Sequence, residues 1–173
     1  MLLNLRKITA GLERYEKIYQ PGAFAGDRDT FTVVAPVALA FDIHKDKDHF
    51  RLAGGVQTRL ELPCSRCLEP FSWPIDSSFD LRYQPHATNT GEDEVEVEED
   101  DLTTAFYEHG QIDLRQLMRE QFYLALPMKP LCRPDCKGLC PSCGADLNQG
   151  ACECRIEWAD PRLAALKKLR IEN

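Results

Sequence analysis

Six of the eight cysteines in this 173-residue chain fall between Cys132 and Cys154, in CRPDCKGLCPSCGADLNQGACEC. Thiols this dense suit a metal ion held by sulfur, because a four-thiolate site needs pairs of Cys presented by tight turns. Cys140-Pro-Ser-Cys143-Gly144 is such a turn: two ligands three residues apart, then a Gly that lets backbone N–H groups face the sulfurs. Zinc is the expected ion. Four ligands are drawn from Cys132, Cys136, Cys140, Cys143, Cys152 and Cys154, with Cys140 and Cys143 the pair that spacing fixes first. The other two cysteines, Cys64 and Cys67, either open a second metal site or stand as a structural pair of small buried hydrophobes at a strand end. None of His44, His49, His86 and His109 lies in the cluster, so the site is expected to be all sulfur, which argues for a structural rather than a catalytic metal.

Other uses of cysteine compete with zinc. Eight is an even number and would suit a disulfide framework, but such frameworks belong to secreted chains. Here MLLNLRKITAGLERYEK has three leading apolar residues before its charges begin, and no apolar stretch of signal-peptide type. No run approaches the roughly 20 apolar residues of a membrane span. The expected setting is cytoplasmic, where thiols stay reduced and go to metal. Four thiolates could also hold an iron–sulfur cluster, although the spacing lacks the ferredoxin run.

Catalysis finds little support. There is no Gly-rich phosphate loop, no nucleophile elbow and no His-Glu-x-x-His helix. Ser65 could serve as a nucleophile and Cys64/Cys67 as a redox dithiol, but redox Cys-x-x-Cys pairs open a helix that lowers the thiol pKa, and this one follows a strand. A non-enzymatic protein without a small-molecule substrate is expected.

The elements that must hold these residues read as an α+β chain. Val37, Leu39, Phe41 and Ile43 alternate on one face; so do Val56, Thr58, Leu60 and Leu62, and then Phe71, Trp73, Ile75, Phe79, Leu81 and Tyr83. Half-buried antiparallel strands alternate this way. Residues 44–49 (HKDKDH) form a polar turn between the first two strands, and 64–70 (CSRCLEP) the corner between the second and third. Pro74 cannot donate to a ladder, so the third strand is an edge or carries a bulge there. Gly54-Gly55 is expected to bend the second strand. Arg14 to Gln20 suggests one further strand and Thr103 to Gln111 another that returns to the sheet. Asp113 is a fitting N-cap, followed by Leu114, Leu117, Met118, Phe122 and Ala125 at helical spacing until Pro127. A short last helix starts at Asp160-Pro161, with Leu163, Leu166 and Leu169 as its stripe. The implied organisation is a β-rich part over 1–88, an acidic linker over 89–102, a returning strand and core helix over 103–128, and a zinc-stapled cysteine segment with the short helix over 129–173.

Charge is unevenly placed. The formal net charge is −7, but Glu92 to Asp101 (EDEVEVEEDD) holds eight acids and no base; without it the chain has 20 acidic residues against 21 Lys plus Arg. A protein that grips nucleic acid through many phosphates carries a strongly basic face, which this sum does not supply. The acidic run reads as a solvated linker or as a docking strip for a basic partner.

Taken in order, several motifs resemble the YceD family. They are Cys64-Ser-Arg-Cys67-Leu68 after a strand, an acidic linker, Ile112-Asp113-Leu114 opening a helix that ends in Leu124-Ala125-Leu126-Pro127, then Cys136-Lys137-Gly138-Leu139-Cys140-Pro141-Ser142-Cys143-Gly144, and Asp160-Pro161-Arg162-Leu163. These are the large ribosomal RNA subunit accumulation proteins of bacteria and plastids, and the resemblance runs from about residue 30 to 170. It implies a cytoplasmic ribosome biogenesis factor needed for synthesis, processing or stability of the large-subunit (23S) ribosomal RNA. The implied partner is the precursor of the large ribosomal subunit, through its RNA or a basic ribosomal protein. Many members lack the later cysteine cluster, so the zinc module resembles an elaboration. Arg66, Lys137, Lys167 and Lys168 are the cations expected to meet RNA or a partner, with Lys129, Arg133 and Arg170 near them. The competing functional readings are a thiol redox or metal-handling protein and an acidic adaptor that docks a basic partner.

Overall fold

A computed structural model describes residues 1–9, 11–26, 29–85 and 104–154. The acidic run at 92–101, His86, and the expected last helix with Lys167, Lys168 and Arg170 lie outside the described residues.

Two long strands dominate. β4 (Val37–Asp46) and β5 (His49–Pro63) form an antiparallel hairpin, and β5 pairs on its other side with β6 (Pro70–Pro85) along nearly its whole length. The strands run further into the polar 44–49 stretch than hydrophobicity suggests, leaving only Lys47 and Asp48 as the loop, with Lys47 at φ 55°. A two-residue hairpin of this kind needs a left-handed residue to match the strand twist. β2 (Gly11–Tyr19) adds to the free side of β4, and the two-residue β3 (Thr32–Val33) continues along β5 where β4 has not yet begun.

The segment after the acidic run departs from the expected single strand. β7 (Thr104–Tyr107) joins β6 in parallel, and the chain then turns at His109 (φ 54°) and Gly110 (φ 70°). β8 (Gln111–Asp113) instead pairs with an N-terminal strand that alternation did not reveal, β1 (Leu2–Asn4). The sheet is therefore mixed. A parallel return requires a connection of a dozen or more residues, and the 18 positions between Pro85 and Thr104 meet that need.

The inner face carries the expected alternation: Val37, Leu39, Phe41 and Ile43 on β4, Leu52, Val56, Leu60 and Leu62 on β5, Ile75, Phe79 and Tyr83 on β6 are all buried. Helix α1 (Leu114–Ala125) contributes Leu114, Leu117, Met118 and Phe122 to the same core. Its N-cap is Asp113, whose carboxylate accepts from Arg115 N at 2.9 Å, and Ser77 Oγ donates to the buried Gln121 Oε1 at 3.2 Å. Asp29 pins the incoming 29–33 strip to the helix by accepting from Arg119 Nη2 (2.6 Å), Arg119 Nε (3.1 Å) and the Tyr123 hydroxyl (2.7 Å). That guanidinium holds the Asp29 carboxyl below its ordinary range, with burial opposing.

Pro74 lies where β6 has only β5 beside it among the described residues, so its missing N–H faces no ladder partner. Gly54 has a different role from a bend. Tyr15 stacks on Phe41 with centroids 4.9 Å apart, and Phe41 meets Phe79 at 6.2 Å across the strand that carries Gly54. A Cβ at Gly54 would overlap the Ala40 carbonyl oxygen and Cα and Cβ of Phe41. The missing side chain lets two aromatic rings close over β5. Gly54→Ala is expected to cost about 2–3 kcal/mol in denaturant unfolding, as overpacking does. Gly150→Ala, where no atom lies within 4 Å of the added carbon, should be near neutral. Equal midpoints for the two variants would refute this account.

Candidate metal centres

The corner between β5 and β6 is closed by backbone bonds and flanked by paired prolines, Pro63 and Pro70. Cys64 N donates to Glu69 O at 2.9 Å and Leu68 N to Cys64 O at 3.0 Å, with Leu68 in the left-handed region at φ 63°. This curl directs Cys64 and Cys67 inward, and both are buried.

A second strip of chain is laced against the corner. Ser65 N donates to Pro130 O (2.8 Å), Leu139 N to Arg66 O (3.1 Å), and the Arg66 guanidinium to Cys136 O (2.7 Å). Gly138, at φ 76°, passes so close that a Cβ would sit 3.0 Å from Arg66 O. Only glycine fits both the dihedral and the gap. The lacing places Cys132 and Cys136 opposite Cys64 and Cys67.

The four sulfurs of Cys64, Cys67, Cys132 and Cys136 lie within 4.8 Å of one another. Sγ of Cys64 is 3.8 Å from that of Cys136, and Sγ of Cys67 is 3.8 Å from that of Cys132. A tetrahedral site with metal–sulfur bonds of about 2.3 Å has edges of about 3.8 Å, whereas a disulfide holds its sulfurs about 2.05 Å apart. All eight cysteines are free thiols. The donor set, its spacing and its burial fit one metal ion.

The second group follows four residues later. Cys140 N donates to Ala145 O and Gly144 N to Cys140 O, each at 2.8 Å, with Gly144 at φ 73°. This turn presents Cys140 and Cys143 together, and the chain returns with Cys152 and Cys154 to complete another set of four sulfurs within 4.8 Å. The six clustered cysteines thus do not share one site. Two close the first tetrad with Cys64 and Cys67, and four form the second. Neither set includes a histidine: His44 and His49 sit at the β4–β5 hairpin and His109 in the turn before β8.

The thiols divide within each tetrad. Burial pushes Cys64 up, but N–H groups of Cys67, Cys132 and Arg66 outweigh it and bring it down to about 6. Cys140 is brought to about 6 by the N–H groups of Cys143 and Ser142, against burial. Cys132, exposed as a residue but with its sulfur desolvated among three others, is pushed up to about 12 by that desolvation and by the Cys67, Cys136 and Cys64 thiols. Cys154 rises to about 12, first through Cys143 and then through desolvation. For Cys67, the Glu69 N–H pulls down, while burial and the Cys64 and Cys136 thiols prevail and raise it; for Cys152, the Cys154 N–H pulls down, while Cys140 and burial prevail. Four neighbouring thiols cannot all ionise without a cation among them.

Of the cations expected at an RNA or partner surface, Arg66 is committed to Cys136 O, and Arg133 to Asn148 Oδ1 (2.8 Å) and Asp135 (3.5 Å). Lys137 is exposed beside them, and Lys167 and Lys168 lie outside the described residues. Sequence reasoning missed Asn148, whose amide reaches Cys136 Sγ from the loop between Cys143 and Cys152; its only signal is the Asp146-Leu-Asn148 step after the Cys140 turn. Among the described residues no helix is long and apolar enough to cross a membrane.

A family model described as "Large ribosomal RNA subunit accumulation protein YceD" matches residues 52–170. The chain is 30% identical over 151 residues to a protein of Zea mays named large ribosomal RNA subunit accumulation protein YCED homolog 1, chloroplastic, covering 69% of this chain and 49% of the relative. It is 33% identical over 98 residues to the Haemophilus influenzae large ribosomal RNA subunit accumulation protein YceD, covering 56% and 53%. A Bacillus subtilis protein, YlbN, is 34% identical over 116 residues, covering 66% and 62%. The chain spans about half the length of the plant relatives it matches. No solved structure matches.

The thiol balance sets the pH response of metal binding. At pH 7 Cys64 and Cys140 are mainly thiolates, whereas Cys67, Cys132, Cys152 and Cys154 carry protons that an ion must displace. Each ion should therefore release at least two protons at pH 7, and affinity should fall as pH falls, more steeply below about 6 where Cys64 and Cys140 also protonate. Calorimetry in two buffers of different ionisation heat measures this. Release of fewer than one proton per ion would contradict the assignment.

Proposed function

This chain belongs to the YceD family, and from that premise we propose that it supports synthesis, processing or stability of the large-subunit ribosomal RNA as a non-enzymatic, zinc-holding biogenesis factor in the cytoplasm. The observation that carries the reading is the family match, which spans both the Cys64–Cys67 corner and the cysteine segment laced to it. The names of the Zea mays and Haemophilus influenzae relatives supply the process.

Zinc suits these donors. It takes four thiolates tetrahedrally, needs no particular ligand field, and structural zinc sites are closed shells of Cys and His without an open position. Here each ion would hold a piece of chain that has little else to hold it: between Leu126 and Cys154 the described residues contain no helix and no strand beyond the bridge of Leu139 with Asp146. Closed sulfur shells leave no position for substrate, which supports a scaffold rather than a catalyst. Lys129 and Lys137, exposed on the laced strip, and the acidic run at 92–101 are the charged surfaces through which it would meet the large-subunit precursor. The run would dock a basic ribosomal protein.

Metal analysis of the chain purified under reductant should find two zinc ions. Replacing both Cys140 and Cys143 with Ser should leave one ion and an intact sheet; two ions in that variant would overturn the assignment of the second centre. Depleting the protein should lower large-subunit RNA relative to small-subunit RNA. Replacing the eight acids of 92–101 by Ser and Gln should weaken salt-sensitive association with the large-subunit precursor, because exposed charges are screened within about 8 Å at physiological salt. Association that ignores both salt and the replacement would reduce the run to a linker.

A further inference from the structure

The two tetrads share their connecting chain. Cys136 closes the first and Cys140 opens the second, with Lys137, Gly138 and Leu139 between them, and the backbone of all three is engaged. Lys137 N donates to Asn148 Oδ1 (2.8 Å), Gly138 O accepts from Leu147 N (2.9 Å), and Leu139 N donates to Arg66 O (3.1 Å). Asn148 and Leu147 belong to the loop between Cys143 and Cys152, two ligands of the second centre. Yet Asn148 Nδ2 lies 3.5 Å from Sγ of Cys136, a ligand of the first, and Asn148 Oδ1 also accepts from Arg133 Nη2 (2.8 Å), between Cys132 and Cys136. Asp146 Oδ1 fixes the amide, accepting from Nδ2 at 2.7 Å and from Asn148 N at 2.9 Å.

We propose that the two metal centres are thermodynamically coupled and that Asn148 is the positioning residue that carries the coupling. An ion in the second centre ties Cys143 to Cys152 and closes the loop between them. The closed loop delivers the Asn148 amide to Cys136 and Lys137, so the first centre meets its ion with one ligand already oriented and its sulfur already hydrogen-bonded. Donors of this kind to metal ligands change affinity about 10–100-fold. The conformational freedom that the first ion removes need not be removed again by the other. Linkage makes the effect reciprocal: each centre strengthens the other by the same factor. The inference rests on the reading that both tetrads hold zinc.

The test uses the full chain, metal-free and reduced, titrated with Co(II) and then competed with Zn(II); tetrathiolate cobalt absorption reports each centre. Cys143→Ser with Cys154→Ser removes the second centre, and Cys67→Ser with Cys132→Ser removes the first. The first centre should bind about 10–100-fold more weakly when the second is absent, and Asn148→Ala in the otherwise native chain should weaken it comparably. Combining Asn148→Ala with the second-centre variant should add little, as expected for two changes on one path. The second centre should weaken by the same factor when the first is removed. At saturation, Asn148→Ala should also shift the sulfur-to-cobalt charge-transfer band of the first centre and leave that of the second in place, a signature that loop disorder alone would not produce. Unchanged affinity of the remaining centre in each single-centre variant, and of both centres in Asn148→Ala, would overturn the coupling and leave the zinc reading standing. An additive Asn148→Ala effect would overturn the role of Asn148, and a chain that binds no tetrathiolate metal at all would overturn both the coupling and the zinc reading.

Discussion

The lacing of the Cys64–Cys67 corner to residues 130–139 is the constraint on which residues 130–154 depend. The sheet and α1 bury a continuous apolar core, but the cysteine segment brings almost nothing to it: among the described residues, the apolar cluster at the first tetrad is Cys64, Cys67 and Cys136 with Phe71 and Leu131 packed against it. A segment of this size cannot offset its conformational entropy through so little apolar burial. Three bonds between the 65–66 backbone or side chain and the 130–139 strip supply part of what hydrophobic contact does not, and an ion among the four sulfurs would supply more. Were each tetrad to hold an ion, order in this segment and metal occupancy would be one equilibrium.

The sheet is built to present that corner rigidly. β5 and β6 are both long, 15 and 16 residues, and stay in register from Phe50–Tyr83 to Pro63–Pro70. One end of this ribbon carries the corner, and the middle is locked by the Phe41 and Phe79 rings closing over Gly54, with Tyr15 stacked on Phe41. The helix braces the same ribbon through Gln121 on Ser77, while the Asp29–Arg119 pair ties it to the strip that leads into β3. Cysteines mounted on the end of a packed ribbon are held in place by a core to which they do not belong.

Charge follows the same division. Arg66 and Arg133, which composition offers as surface cations, act within the module: one clamps the Cys136 carbonyl, the other the Asn148 amide and Asp135. Guanidinium forks suit such internal tasks because they donate in several directions at once. Both residues stay exposed, and bonding to a neutral carbonyl or amide oxygen orients their charge without cancelling it.

Sequence alone determined the alternating faces of β4, β5 and β6, the Asp113 cap with the core stripe of α1, and a sulfur-only donor set. Each of these is written in local periodicity or in residue type, and local rules suffice to read them. Tertiary structure decided the rest. The hidden β1 and the parallel β7 depend on partners more than 20 residues away, and neither has enough alternation to announce itself. The partition of the cysteines is the clearest case: Cys132 and Cys136 lie nearer in sequence to Cys140 than to Cys64, yet they pair with the distant corner. Spacing ranks ligands by how easily a short loop closes, whereas backbone bonds from Ser65 and Leu139, and a gap at Gly138 that only glycine fills, fix which strip of chain lies against which. Loop closure is a weak, slowly varying term, and a handful of specific long-range hydrogen bonds outweighs it.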